Sequence, residues 1–144
     1  MKRGLFIGMI AAMSIITVCG CRSMEQSQTA PEKSNQVREQ GGKIIRAVAE
    51  QDFSQYLHHA GERGSVADEA GFLRSCRDMV TRLGKITKFT FLTELDTPEF
   101  TNLIYVADFV KSGDSGKEVK HQQLIQLIFG EVDGRSKLMG IRVM

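Results

Sequence analysis

Cysteine is scarce here. The 144 residues hold three, Cys19, Cys21 and Cys76, and the first two fall in one short stretch near the N-terminus. That placement leaves no ligand set for a structural zinc site. Histidine is equally sparse. His58 and His59 are adjacent, so on a helix they point about 100° apart, whereas a metal pair wants i, i+4 spacing. His121 is far off in the chain. No metal is expected. No serine sits in a nucleophile elbow, and no phosphate-cradling glycine loop follows a strand, Gly113 and Gly116 being turn residues. No cofactor is expected either. There are no internal repeats.

A surplus of charge is also missing. The formal net charge is +2, from 19 bases and 17 acids. Lys2 and Arg3 lie in the first 20 residues and no acid does, so the rest of the chain is neutral. A neutral domain has no electrostatic footprint for nucleic acid, which excludes that partner class. The remaining length suits a single domain with a worthwhile core.

What is present begins at the N-terminus. Lys2 and Arg3 precede a nearly unbroken apolar or small run from Leu5 to Val18, the layout of a secretory signal. The run is short for a membrane span, which needs ~20 apolar residues. It ends in Val18-Cys19-Gly20-Cys21. This stretch resembles the lipobox of bacterial lipoproteins: an aliphatic residue, a variable one, a small one, then cysteine. The resemblance implies cleavage between Gly20 and Cys21, lipidation of the Cys21 thiol by diacylglycerol and further fatty acylation of the palmitate type. Cys19 departs from the commoner Ala or Ser. Taking Cys19 as the modified residue instead would put Val18 at the cleavage position, where it is too bulky. On this reading Cys76 is left alone and no intrachain disulfide can form. Arg22 follows the modified cysteine where an Asp would favour inner-membrane retention, so the outer membrane, facing the periplasm, is expected if the organism is Gram-negative.

Residues 21–35 are almost free of apolar side chains and read as a lipidated N-terminus and flexible tether, Pro31 included. Residues 36–144 read as one domain. Val37, Ile44, Ile45, Val48, Ala49, Phe53, Tyr56 and Leu57 form one apolar helical stripe. Gly41-Gly42 weakens its start, so a firm helix is expected only from about Lys43, with a break capped by Asp52. A second helix spans 66–83, with Ser65 as N-cap, Asp68 three residues on, and Gly84 at its C-terminus. Cys76 lies mid-stripe and reads as a buried small hydrophobe.

After Gly84 the apolar period becomes two. Strands are expected over 85–95, 100–111, 117–131 and 136–143. Asp96-Thr97-Pro98-Glu99 and an Asp133-Gly134 hairpin signal lie among the short connections. The fold class is α+β: two N-terminal helices packed on a four-stranded antiparallel meander. Alternation places Phe89, Phe91 and Leu95 on one face of the first strand, and Ile86 and Leu92 with Lys88 and Glu94 on the other. Two short helices cannot cover both faces of four strands, so one face is expected to meet a second copy or an envelope protein.

Helix, helix and a meander closing on Val132-Asp133-Gly134-Arg135 resembles the nuclear-transport-factor-2-like (NTF2-like), or cystatin-like, superfamily. The Gln51-Asp52-Phe53 step and the Leu83-Gly84-Lys85 junction fit the same pattern. The resemblance covers about residues 36–144 and implies a curved sheet that wraps a helix around a conical pocket. Phe53, Tyr56, Phe89, Phe91, Tyr105 and Asp108 are the candidate pocket residues. No catalytic motif of the superfamily matches residue by residue, so the fold gives no warrant for a reaction. The expected role is non-enzymatic: a small apolar ligand in the cone, or an envelope protein on the sheet. The alternatives are a structural accessory of an envelope or secretion complex, and an enzyme using Asp108 as a pocket acid.

Overall fold

A computed structural model of the chain describes residues 30–61, 68–113 and 116–144. The cleavage site, Cys21 and residues 22–29 of the expected tether lie outside the described residues, as does Ser65. The helices are α1 (Ala30–Glu50), α2 (Phe53–Ala60) and α3 (Glu69–Leu83), and the strands are β1 (Lys85–Asp96), β2 (Phe100–Ser112), β3 (Glu118–Val132) and β4 (Arg135–Val143). The sheet order is β1-β2-β3-β4, all antiparallel. The α+β meander is as the sequence predicts.

The helical layer differs in two ways. First, α1 starts at Ala30, so residues 30–35 belong to the domain and not to the tether. Pro31 falls in the first turn, where its missing N–H costs nothing. Second, Gly41-Gly42 lies inside continuous helix. The sheet approaches so closely at Gly41 that a Cβ there would sit 2.6 Å from Tyr105 Oη and 2.7 Å from Leu103 Cδ1. Tertiary packing outweighs the propensity loss of ~1 kcal/mol per glycine.

The break at Asp52 is present. Gln51 takes a left-handed φ of 58°, and the Asp52 carboxylate accepts from the Gln55 N–H at 3.0 Å, capping α2. The short turn expected after the break is the helix α2, Phe53–Ala60. Asp68, not Ser65, is the described cap of α3, accepting from the Gly71 N–H at 2.6 Å. Gly84 ends α3 at φ 96° and turns the chain directly into β1.

The strand pairing skips a residue at three bulges. Thr87 is skipped between the pairs Ile86–Phe109 and Lys88–Asp108, and Leu92 between Phe91–Tyr105 and Thr93–Ile104. Met139 is skipped in β4 between Phe129–Leu138 and Ile128–Gly140. Each extra residue reverses the sidedness that follows it. Ile86, Phe89, Phe91 and Glu94 therefore share the inner face with Leu103, Tyr105, Ala107 and Phe109. Leu95 pairs with Asn102 on the outer face. Strict alternation had grouped Leu95 with the inner aromatics and Ile86 and Glu94 with the outer residues; the bulges exchange them.

The core fills the space between the inner face and the helices. Val37, Ile44, Ile45 and Ala47 of α1, Tyr56 and Ala60 of α2, and Phe72 and Cys76 of α3 pack on Leu103, Phe109, Ile125, Leu127, Phe129 and Leu138. At the other connection Asp133 and Gly134 both take positive φ, 53° and 71°, which is the two-residue turn that an Asp-Gly pair favours.

Candidate functional site

The six candidate pocket residues do not line one pocket. Phe53 and Tyr56 pack on Phe72, with ring centroids 5.6 and 4.7 Å apart, and hold α2 to α3. Phe89 and Phe91 meet Tyr105 edge-on at 6.2 and 5.5 Å. Asp108 lies on the outer face with Ile104 and Val106, where it accepts from Gln122 Nε2 at 2.7 Å. Asp108 is thus on the opposite face of the sheet from Phe89, Phe91 and Tyr105. Alternation along β2 places Asp108 one residue out of phase with Tyr105 and Phe109.

The cone is filled. α1 fits against Tyr105, Leu103 and Leu127 at Gly41, whose Cβ-less backbone allows the approach. The Tyr105 hydroxyl donates to the Arg38 carbonyl at 2.9 Å. Burial, the main cause, pushes its pKa to about 12, a rise opposed by the Arg38 charge. The void among Ile45, Val48, Met79, Ile86, Ile125, Leu127, Ile141 and Val143 has a volume of about 20 Å³. That is room for about one water, whereas small-molecule sites run to ~300–1,000 Å³. A ligand in the cone would have to displace α1.

Polar chemistry gathers instead at the rim between α1 and β1. The Glu94 carboxylate is 12% exposed and accepts from Ser34 Oγ at 2.8 Å and Arg38 Nη2 at 3.3 Å. The Arg38 guanidinium lies 4.2 Å over the Phe91 ring, a cation–π contact. Beside it a cleft of about 250 Å³ opens among Ser34, Glu94, Phe100, Phe129 and Glu131. Sequence reading missed this cluster because the Leu92 bulge moves Glu94 inward. The one available signal was Gly41-Gly42 within an apolar stripe, which marks a close backbone approach.

The histidines remain apart. His58 and His59 end α2 with their rings in edge contact at 4.8 Å. Burial, followed by the neighbouring His58 charge, lowers the pKa of His59. His121 stacks on Phe109 in the sheet at 5.7 Å. Among the described residues no three His, Cys, Asp or Glu side chains converge as a metal set. Cys76 is buried, and burial raises its thiol pKa.

Among the described residues the helices pack on the inner face, and none lies on the outer face. Ile104, Val106, Leu124 and Ile128 form its centre. Leu92 and Leu95 are each 56% exposed, and Met139 is 49% exposed. Two amide-bearing pairs, Asn102–Gln126 at 2.9 Å and Asp108–Gln122, cross the strands between them. An open groove of about 670 Å³ runs past Lys88, Asp108, Lys120 and Gln122 at the β2–β3 hairpin end. Among the described residues no helix is long and apolar enough to cross a membrane.

No protein-family model matches this chain, and no curated protein resembles it in sequence. Solved structures do resemble it in shape. One is Aln2 from a Streptomyces species, 11% identical, covering 79% of this chain and 90% of its own, with a TM-score of 0.54. Another is a protein of unknown function with a cystatin-like fold from Nostoc punctiforme, 10% identical over 80% and 91% of the two chains, TM-score 0.54. A third, provisionally named a dehydratase of the NTF2-like family, from Streptomyces avermitilis, is 14% identical over 80% and 97%, TM-score 0.54. Identities this low speak for shape alone. With the helix order and the antiparallel meander, they establish that this chain has the NTF2-like, cystatin-like fold.

Proposed function

We propose that this protein is a bacterial lipoprotein, cleaved before Cys21 and lipidated there, whose NTF2-like domain works by binding protein across the outer face of its sheet. The close seating of α1 on the inner face supports the reading: among the described residues the void there is about 20 Å³, too small for a ligand or a substrate. An enzyme built on Asp108 loses its rationale, because that carboxylate is on the outer face, bonded to Gln122. The outer face is large enough for a partner. Four strands ~4.8 Å apart, about ten residues each at ~3.3 Å, span roughly 600 Å². Matched against a partner, that buries roughly 1,200 Å², above the ~1,000 Å² of a specific interface. The apolar centre would supply affinity and the amide pairs its register. A second copy or another envelope protein fits this surface. The lipobox pattern and Arg22 support a site of action at the envelope, at the outer membrane if the cell is Gram-negative.

Val106→Lys in the full-length protein tests this. The partner, or the second copy, should be lost on co-purification from native membranes, with the melting temperature within a few degrees of wild type. Unchanged co-purification would remove the outer face from the account.

A further inference from the structure

The two halves of the outer face are unlike. At the end that carries the β1–β2 and β3–β4 turns, Phe100 and Met139 lie over Gly130. A Cβ added there would be 3.4 Å from Phe100 Cε1 and 3.0 Å from Met139 Cγ. With Leu95 these side chains form an exposed apolar ridge. The end that carries the β2–β3 hairpin has the open groove of about 670 Å³ instead, lined in part by Lys88, Asp108, Val110, Lys120 and Gln122. Val110 pairs with Lys85 and Lys120, and Asp108 pairs with Lys88 and Gln122, so these side chains share the outer face.

Charge divides along the same direction. Lys85, Lys88, Lys111, Lys117 and Lys120 stand at the hairpin end against Asp108 and Glu118. Asp96, Glu99, Glu131 and Asp133 stand at the turn end against Lys33, Arg135 and Lys137. The hairpin end is basic and the turn end slightly acidic.

Two copies can bring their outer faces together about a two-fold axis lying between the sheets. An axis along the strands stacks like ends. It sets ridge on ridge, leaves both grooves empty and lays one basic hairpin over the other. An axis across the strands stacks unlike ends. Where it crosses β2 at Tyr105, Phe100 falls over the partner's Val110, because both are equally far from Tyr105 along the strand. Each ridge then enters the other copy's groove, where the stems of Lys88 and Lys120 can cover it while their ammonium groups stay in water. Ile104 and Val106 meet their counterparts at the axis. The basic end of each copy faces the acidic end of the other, a rim effect that sets register more than affinity.

We propose that the occupant of the outer face is a second copy of this chain, packed face to face with equivalent strands running in opposite directions, so that the Leu95–Phe100–Met139 ridge of each copy fills the hairpin-end groove of the other. This rests on the outer face being the protein-binding surface, and it names the partner. The area suffices: roughly 1,200 Å² is buried, against the ~1,000 Å² of a specific interface.

The test co-expresses two tagged copies of the full-length chain, one with Asn102→Cys and one with Asp108→Cys. Native membranes are treated with a bismaleimide that spans about 10 Å, the spacing of packed sheets. Positions 102 and 108 are equally far from Tyr105, so they face each other across the axis, whereas position 108 and its symmetry mate lie about 20 Å apart, six residues at ~3.3 Å. The expected result is a mixed adduct at several times the yield of the Asp108→Cys self-adduct and of the unsubstituted chain, whose Cys76 is buried. Phe100→Ser, which blunts the ridge, should weaken self-association about tenfold in sedimentation equilibrium; unchanged association overturns the proposal. A self-adduct at position 108 equal to the mixed one puts like ends together and overturns it too. If the copies form no adduct while Val106→Lys still releases another protein, the second copy is wrong and the outer-face reading stands. No adduct with unchanged co-purification in Val106→Lys removes both.

Discussion

Gly41→Ala is the substitution that bears hardest on the closed cone. On an exposed helix it would stabilise by ~1 kcal/mol, because alanine is the better helix former. Here the new Cβ would stand 2.6 Å from Tyr105 Oη, 2.7 Å from Leu103 Cδ1 and 3.2 Å from Leu127 Cδ1. Leu103 and Leu127 are fully buried, so neither has space to retreat into. Tyr105 could yield only by giving up its bond to the Arg38 carbonyl. Overpacking costs ~1–3 kcal/mol, and a buried hydroxyl deprived of its partner costs a further ~1–3 kcal/mol. Less the propensity gain, the net is a loss of about 1–5 kcal/mol, centred near 3. Urea denaturation of the mature chain reads it directly as a lower midpoint at unchanged slope. Gly42→Ala is the internal control. Its Cβ would meet only Phe89 Cε2, at 3.9 Å, so the same chemical change one residue along should stabilise by about 0.5–1 kcal/mol. Opposite signs at adjacent glycines are the signature of contact with the sheet at Gly41. If both substitutions stabilise, α1 does not seat there and the filled cone is wrong.

Other outcomes follow from the same geometry. Gly84→Ala should cost about 2 kcal/mol or more by thermal melting, since φ is 96° and the Cβ would run into the Val110 carbonyl. Arg38→Ala should cost about 1–3 kcal/mol in urea, because the largely buried Glu94 carboxylate loses its cation; Asp108→Asn should stay within ~0.5 kcal/mol, its side chain being on the outer face. The raised Tyr105 pKa has a definite sign. The folded state holds its proton from pH 10 to about 12 while the unfolded state releases it. That stabilisation is complete below pH 10 and is lost as pH rises toward 12. Urea midpoints should fall between about pH 10 and 12, and fall less in Tyr105→Phe; an equal fall in both would remove Tyr105 as the cause.

Much of the fold was legible because the sequence states it locally. The period of two after Gly84, the Asp-Gly hairpin and the Asp52 break are short-range signals, and each is where it was expected. The errors share one cause: they depend on what packs against a residue. Gly41-Gly42 looks like a weak helix start until the sheet is set beside it. The same holds for residues 30–35, polar enough to pass for tether, which are helical and tied to β1 and β3 by Ser34 and Lys33. Bulges at Thr87 and Leu92 leave no mark in an alternating pattern, yet they turn Glu94 inward and Leu95 outward. That exchange is why the Ser34–Arg38–Glu94 cluster escaped the sequence.

Site-specific photo-crosslinking in living cells tests the central claim most directly. A photoreactive residue replaces Val106 on the outer face or, for comparison, Thr81 on the exposed side of α3. The account predicts a protein adduct of defined mass from position 106, at the membrane, and none of comparable yield from position 81. Adducts from position 81 with none from position 106 would contradict it, because the helical layer would then meet the partner and the sheet face would stand idle.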